Sequence, residues 1–213
     1  GRFLRGWELS GPFPRMLEDP VVGEAARKLF AEAREFLDRV VREKWIRANG
    51  VFGLYPAAQV NGDDVEIYKD EKRDATAFVW HNLRQQNHKP EGNPNLCLAD
   101  FVAPKASGVP DWIGAFAVSA GGFEARLAAY ERAHDDYNAI MLKVLADRLA
   151  EAFAEHLHER VRREFWGYAP EERLSGEELI REAYRGIRPA PGYPACPDHT
   201  EKGGLFALLQ AEA

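Results

Sequence analysis

Apolar residues recur every three to four positions in two long segments of the chain. Over residues 17–45 they follow the helical period, with Arg and Glu on the other face, and the Asn49-Gly50 pair follows. A second apolar stripe covers residues 136–165 and stops before Gly167. Such spacing is typical of helices with one buried face. The pattern therefore predicts a helix over 17–45 and a longer helix over 136–165.

Between these segments the pattern changes to short apolar runs rich in β-branched and aromatic residues. The predicted strands cover residues 51–55, 65–68, 76–80, 96–102 and 112–118. Pro56 is expected to end the first strand, Asn61-Gly62 separates it from the second, and a charged turn over 69–74 precedes the third. Both turns are hairpin signals. Because parallel pairing needs long crossovers, these strands indicate an antiparallel sheet, and the element order predicts an α+β fold.

Capping residues mark two helix starts. His134 and the two aspartates after it are expected to cap the long helix. Ser175, with Glu178 three residues later, matches a capping box and predicts a short helix over 176–184. The remaining C-terminal residues are rich in Pro and Gly, and we expect them to be irregular.

Composition limits the classes of protein to consider. The chain has 213 residues, 46% of them hydrophobic and 29% charged, which suits a single globular domain over 1–213. A net charge of −6 without a Lys/Arg run argues against nucleic acid and anionic membranes as partners. Two cysteines, Cys97 and Cys196, suit the reducing cytoplasm rather than a disulfide scaffold. Lacking a CxxC spacing, both are expected to be buried or inert thiols.

The segment over residues 188–199 carries the most chemistry. Its prolines stiffen the backbone, and Gly192 lets another group approach closely. Arg188 offers a planar fork of donors suited to a carboxylate, and Tyr193 offers a flat ring and a hydroxyl. These features suit a ligand that carries an amino acid. The alternative is a structural crossover with a surface arginine, and the residue types alone leave both interpretations open.

This segment also carries a family resemblance. Its Arg-Pro-Ala-Pro-Gly-Tyr start, running on through Pro-Ala-Cys-Pro-Asp-His-Thr-Glu-Lys202, resembles the signature of the activation domain of cobalamin-dependent methionine synthase. Further segments that resemble this family follow one another along nearly the whole chain, at residues 14–17, 53–57, 63–68, 83–86, 97–104, 111–118, 134–138 and 145–153. Any one short match would be unspecific, but this many in order is highly specific.

The resemblance implies a bent antiparallel sheet flanked by helices and a role in methionine biosynthesis. In the family, the enzyme moves a methyl group from methyltetrahydrofolate to homocysteine through cob(I)alamin, which is occasionally oxidised to inactive cob(II)alamin. The activation domain then caps the cobalamin-binding domain of the same polypeptide and presents S-adenosylmethionine. A flavodoxin-like or flavoprotein donor supplies an electron, and the methyl group passes to the cobalt. Zinc is implied only elsewhere in the full-length enzyme.

The resemblance also assigns the ligand-binding residues. Arg188 would bind the methionine carboxylate, Ala190 and Gly192 would offer backbone contacts, and Tyr193 would line the pocket beside the sulfonium. Glu151 matches a residue near the ligand amine.

Further charged residues complete the implied site. Glu182 would favour the ammonium or sulfonium charge, while Asp147, Glu124 and His199 would face the cobalamin-binding domain. The alternative for Asp147 and Glu151, one helical turn apart, is that they form only a solvated acidic face.

No nucleophile, general base or metal-ligand set stands out in the sequence. His156 and His158 point to different sides of a helix, and we expect both to be solvated. The module would therefore contribute orientation within a methyltransferase rather than turn over alone. The rival interpretation is a docking cap for a cobalamin- or flavin-bearing partner that binds no small molecule.

Both ends of the chain are expected to be cuts through a longer polypeptide. Phe3 and Leu4 are already apolar, and an apolar run over 205–209 lies close to the end. In the family, an acidic residue before the equivalent of Gly1 and a tyrosine after the equivalent of Ala213 also belong to the ligand site.

Overall fold

The computed structural model describes Trp7, Gly11 and residues 13–211, so Phe3 and Leu4 lie outside the described residues. The chain divides into two compact units. The helical unit comprises Gly1–Gly50 and Val118–Leu157, and the sheet unit comprises Val51–Ala117 and His158–Ala213.

The helical unit is built on two of the predicted amphipathic segments. Helix α1 covers Gly23–Arg42, helix α2 covers Glu124–Arg132, and helix α3 covers Asp136–Arg160, running on into the sheet unit. The buried side chains that form the core of the helical unit are Met16, Ala26, Leu29, Ala33, Phe36, Val40, Trp45, Met141, Leu142 and Leu145. The helical periods read from the sequence are thus confirmed.

Helix α1 is shorter than predicted at both ends. Before it, Arg15–Glu18 forms a 3-10 turn, and the Asp19 carboxylate accepts the N–H groups of Val21 and Val22 at 2.8 and 3.0 Å. The helix therefore begins only after this turn. After it, Lys44 has a left-handed φ of 54°, which ends the helix well before the Asn49-Gly50 pair.

Helix α2 was not predicted, whereas the cap of α3 was. Helix α2 buries no residue fully, so it lacks the apolar stripe that signals a helix in a sequence. At the start of α3, the Asp135 carboxylate accepts the N–H of Asn138 at 3.1 Å, and His134 has a φ of 54°. The expected cap is therefore made by Asp135.

The sheet is antiparallel and has four strands in the order β3-β2-β1-β4. The strands are β1 (Arg47–Val60), β2 (Asp64–Tyr68), β3 (Thr76–His81) and β4 (Asp111–Gly121). Ala57 pairs with Ile67 across β1 and β2, and Val65 pairs with Trp80 across β2 and β3. The predicted α+β fold with an antiparallel sheet is confirmed.

The turn between β1 and β2 also follows the prediction, but the end of the first strand does not. Asn61 and Gly62 have φ angles of 54° and 87°, as a two-residue hairpin turn requires. The expectation that Pro56 ends the strand is wrong, because β1 continues through it. Pairing with β2 begins at Ala57. Pro56 therefore does not have to donate a backbone N–H to β2.

The predicted strand over 96–102 is also wrong. Leu98–Phe101 is a 3-10 turn, and the Asp100 carboxylate accepts the N–H of Cys97 at 2.9 Å. Leu98 and Ala99 are buried. The apolar run that predicted a strand is therefore part of a turn that packs into the core.

Two helices follow in the C-terminal part of the sheet unit. Helix α4 covers Gly176–Ile180 and begins at the predicted capping box, where Ser175 N–H donates to the Glu178 carboxylate at 2.8 Å. Helix α5 covers Lys202–Leu209, a region we expected to be irregular. The Tyr55 hydroxyl donates to the Leu208 carbonyl at 3.1 Å, which fixes α5 on the sheet.

The core of the sheet unit brings together strand, turn and C-terminal residues. Its buried residues are Ala57, Val65, Ile67, Trp80, Cys97, Leu98, Ala99, Val102, Ile113, Ala115, Cys196, Leu205 and Leu209. Both cysteines are free and buried, as expected. Burial raises the pKa of both thiols, that of Cys196 to about 11.

Candidate functional site

The proline-rich loop, residues 188–199, is closed by its own backbone. Gly192 N–H donates to the Cys196 carbonyl at 2.8 Å, and Cys196 N–H donates to the Tyr193 carbonyl at 2.9 Å. Leu98 N–H donates to the Ala195 carbonyl at 2.9 Å, and the Cys196 side chain is 2% exposed. These hydrogen bonds attach the loop to the core of the sheet unit, so little backbone conformational entropy remains to be lost on binding.

Gly192 is required by both its conformation and its neighbour. Its φ is 102°, and a Cβ at this position would lie 2.3 Å from Cε1 of His199. The His199 ring thus packs directly on the loop backbone. Because the Gly192 N–H is already bonded to Cys196, a contact from Gly192 to a ligand would use its carbonyl oxygen.

Arg188 is half-buried at the start of the loop, and its Nε atom is shielded from solvent. It lies within electrostatic reach of His158. Burial, and then the charges of Arg162 and Arg188, lower the pKa of His158 to about 3. The expectation that His158 is solvated is wrong: it is 7% exposed, because the Phe116 and Tyr184 rings pack against it. His156 is exposed, as expected.

His158 belongs to a buried cluster that sequence reasoning missed. Arg162 is 1% exposed, and its Nε donates to both carboxylate oxygens of Glu172 at 3.1 Å. Its Nη1 donates to Nδ1 of His158 at 2.6 Å, and its guanidinium carbon lies 4.3 Å from the Tyr184 ring centroid. The i, i+4 spacing of His158 and Arg162 was the available signal.

A local change in helix geometry places Arg162 in this cluster. The residues after α3, Val161–Phe165, form a π-turn, in which Trp166 N–H donates to the Val161 carbonyl at 2.8 Å. Such turns are frequent at functional sites. No periodicity in the sequence indicates this extra residue in the turn.

The other predicted residues of the sheet unit lie on its surface. Tyr193 is 60% exposed, Ala190 is exposed, and Ala190 also accepts the Tyr193 N–H through its carbonyl at 3.0 Å. Glu182 is exposed and has a left-handed φ of 56°. The loop thus exposes the Tyr193 ring on a backbone that is closed by its own hydrogen bonds.

The remaining predicted residues belong to the helical unit. Glu151 pairs with Arg148 at 2.8 Å and its side chain is 50% exposed. Asp147 is exposed on the same helix, and the Glu124 carboxylate accepts the Gly122 N–H at 3.1 Å. Their assigned roles, and the alternative of a solvated acidic face, both remain predictions.

The described part of the chain offers neither a metal-binding cluster nor a membrane-spanning helix. Within residues 13–211, Trp7 and Gly11, no cluster of three or more His, Cys, Asp or Glu side chains could hold a metal ion. In the same part of the chain, no helix has the length and apolar character needed to cross a membrane.

The antiparallel sheet, the long helix and the hydrogen-bonded proline-rich loop define an α+β module with a pre-formed surface loop. The family model for the vitamin B12 dependent methionine synthase activation domain matches residues 1–213. The chain therefore belongs to this family, and the resemblance seen in the sequence is confirmed.

The chain is also similar to a solved structure, the crystal structure of the MetH reactivation domain bound to AdoHcy. The two share 60% sequence identity and superpose with a TM-score of 0.91. The match covers 98% of this chain and 64% of that chain, so this chain spans less than two thirds of the relative's length.

Proposed function

We propose that this chain binds S-adenosylmethionine through the proline-rich loop and serves as the reactivation module of a cobalamin-dependent methionine synthase. The observation that carries the proposal is the half-buried Arg188 at the head of a loop whose backbone is already fixed. A relative with 60% identity was solved with AdoHcy, which is S-adenosylmethionine without its transferable methyl group.

The ligand's amino acid end suits the chemistry of the loop. A carboxylate taken from water needs a charged partner, because burying it alone is costly. The planar guanidinium of Arg188 can pair with both carboxylate oxygens. We assign backbone contacts to the carbonyl groups of Ala190 and Gly192, and a place beside the sulfonium to Tyr193.

Acidic side chains complete the proposed site. Glu151 and Glu182 would favour the positive charges on the ligand amine and sulfonium. These residues bind and orient the ligand; none of them is proposed to make or break a bond. When bound, S-adenosylmethionine would supply the transferable methyl group, and a cobalamin on the partner domain, reduced by one electron from a donor, would be its acceptor.

For the whole enzyme we propose the family's reactivation role, which is the reductive methylation of cob(II)alamin in the cytoplasm. The partners are the cobalamin-binding domain of the same polypeptide and a flavodoxin-like or flavoprotein electron donor. The surfaces assigned to the cobalamin-binding domain carry Asp147, Glu124 and His199.

Calorimetry with S-adenosylmethionine tests the central proposal. We expect saturable binding to the full natural chain, and weaker binding to the 213-residue chain if further residues contribute to the site. Absence of heat with the full natural chain would favour the docking cap that binds no small molecule.

Charge reversal at Asp147 tests the assigned partner surface. Because reversing a charge at an interface replaces attraction with repulsion, Asp147→Lys should slow reductive reactivation of the full enzyme by about tenfold or more. Primary methyl transfer to homocysteine should stay unchanged. Glu171→Lys, at an exposed position of the sheet unit, is the matched control and should change neither rate. Equal loss of both activities in Asp147→Lys would contradict a reactivation-specific role.

A second test addresses the loop backbone. Gly192→Ala strains a left-handed φ and displaces His199, and we expect S-adenosylmethionine affinity to fall by about tenfold while the fold persists. Gly62→Ala strains a similar φ of 87°, but its Cβ meets no atom within 4 Å. Calorimetry should therefore show unchanged affinity for this control. Unchanged affinity in Gly192→Ala would show that the loop geometry does not set binding.

A further inference from the structure

The buried cluster around Arg162 fixes geometry rather than adding much stability. Its ion pair with Glu172 is almost dehydrated, with side chains 1% and 9% exposed. Desolvation offsets most of the attraction in such a pair, so it contributes little net stability. The guanidinium is nevertheless held on three sides, by Glu172, by Nδ1 of His158 and by the face of Tyr184. Directional partners on three sides leave it one orientation.

The cluster is linked directly to the chain that enters the proline-rich loop. Tyr184 packs on both Arg162 and His158. Only three residues, 185–187, separate it from Arg188. In between, the Tyr168 hydroxyl donates to the Arg185 carbonyl at 3.2 Å. A Cβ at Gly186 would lie 3.3 Å from that hydroxyl, so the backbone passes close to it.

His158 takes part as a neutral ring. Its Nδ1 accepts the Arg162 Nη1 hydrogen bond, which places the ring proton on Nε2. The charge of Arg188 contributes to the lowered pKa of His158, so the two side chains interact electrostatically. A protonated ring would repel both guanidinium groups, whereas the neutral ring does not oppose the charge of Arg188.

We propose that His158 and Arg162 are positioning residues for Arg188: they hold the segment from Tyr184 onward so that the Arg188 guanidinium meets the ligand carboxylate pre-oriented. The inference rests on the proposed function and deepens it. Neither residue is proposed to touch the ligand. Their replacement should therefore affect recognition of the carboxylate and leave the rest of the ligand's contacts unchanged.

Two ligands separate positioning from a merely structural role. Decarboxylated S-adenosylmethionine keeps the amine, the sulfonium and the adenosyl group but lacks the carboxylate. In the full natural chain, the parent should bind S-adenosylmethionine about ten to a hundred times more tightly than this analogue. His158→Leu removes the acceptor for Arg162, and the affinity for S-adenosylmethionine should fall about tenfold, with unchanged affinity for the analogue.

Two conservative variants test the same role if His158→Leu does not fold. They ask whether a hydrogen-bond acceptor for Arg162 at position 158 is what sets recognition of the carboxylate. In His158→Asn the amide oxygen occupies the place of Nδ1, and the discrimination between the two ligands should be retained. In His158→Gln the oxygen falls near Nε2, and the discrimination should fall. His156→Leu, at an exposed position on the same helix, is the control and should change neither affinity.

The outcomes separate the two proposals. Full discrimination in folded His158→Leu and His158→Gln, or equal loss of affinity for both ligands, overturns the positioning role while leaving the carboxylate assignment of Arg188 in place. A parent that binds both ligands equally well overturns that assignment first, and the positioning role with it.

Discussion

Replacing Arg188 with alanine should weaken S-adenosylmethionine binding by about ten- to a hundredfold. A charge-assisted bidentate pair of this kind contributes about 1.5–3 kcal/mol. The loop that follows Arg188 is closed by its own hydrogen bonds before the ligand arrives, so the loop adds little ordering cost. Arg188→Lys should rescue only part of the affinity, because a point charge cannot reproduce the planar fork. Calorimetry on the full natural chain measures both variants.

The fold should hardly respond to this change. Arg188 lies in an irregular loop rather than in the apolar core, so its thermal unfolding should resemble that of the parent. Arg181→Ala, at an arginine whose side chain is 77% exposed, is the matched control and should bind the ligand normally. If Arg188→Ala binds as tightly as the parent, the carboxylate is held elsewhere and the site assignment is wrong.

Glu172→Gln should produce the largest loss of stability. The substitution leaves the buried guanidinium of Arg162 without its opposite charge, and breaking a buried ion pair in this way costs about 3–5 kcal/mol. Urea unfolding should therefore show a clear fall in the free energy of unfolding. We expect S-adenosylmethionine affinity to fall as well, because the cluster adjoins the segment that leads to Arg188.

An exposed pair on α4 provides the comparison. Glu177 and Arg181 lie 3.9 Å apart with side chains 86% and 77% exposed, and exposed pairs contribute only about 0–1 kcal/mol. Glu177→Gln should therefore leave the unfolding midpoint close to that of the parent. If Glu172→Gln is as stable as Glu177→Gln, other groups compensate the buried charge of Arg162. The description of the cluster as a tightly coupled unit would then be wrong.

Local patterns in the sequence were enough for those elements whose hydrogen bonds are local. The periods of α1 and α3, the Asn61-Gly62 turn and the Ser175 capping box are each read from neighbouring residues, and the structure confirms them. The antiparallel pairing of β1, β2 and β3 followed from the short connections between these strands. The stiffness of the proline-rich loop was also readable, since proline restricts its own backbone wherever it stands.

Tertiary contacts decided the rest. The run over 96–102 has strand composition, yet it contains a 3-10 element whose Leu98 N–H donates to the Ala195 carbonyl at 2.9 Å. Helix α5 forms where Pro and Gly predicted irregular chain, because Tyr55 and the sheet hold it. In each case a residue distant in the sequence supplies the deciding partner, which no local window contains.

The same division holds for the candidate site. The sequence by itself was enough to propose Arg188, Gly192 and Tyr193 as site residues, because their chemistry lies in one stiff loop and in a family signature. Only the tertiary structure decided that His199 packs on Gly192 and that Arg162 lies buried against Glu172 and His158. The physical reason is that a charged residue is buried only when several segments of the fold together supply its partners, and a sequence pattern records the residue but not which side chains will meet it.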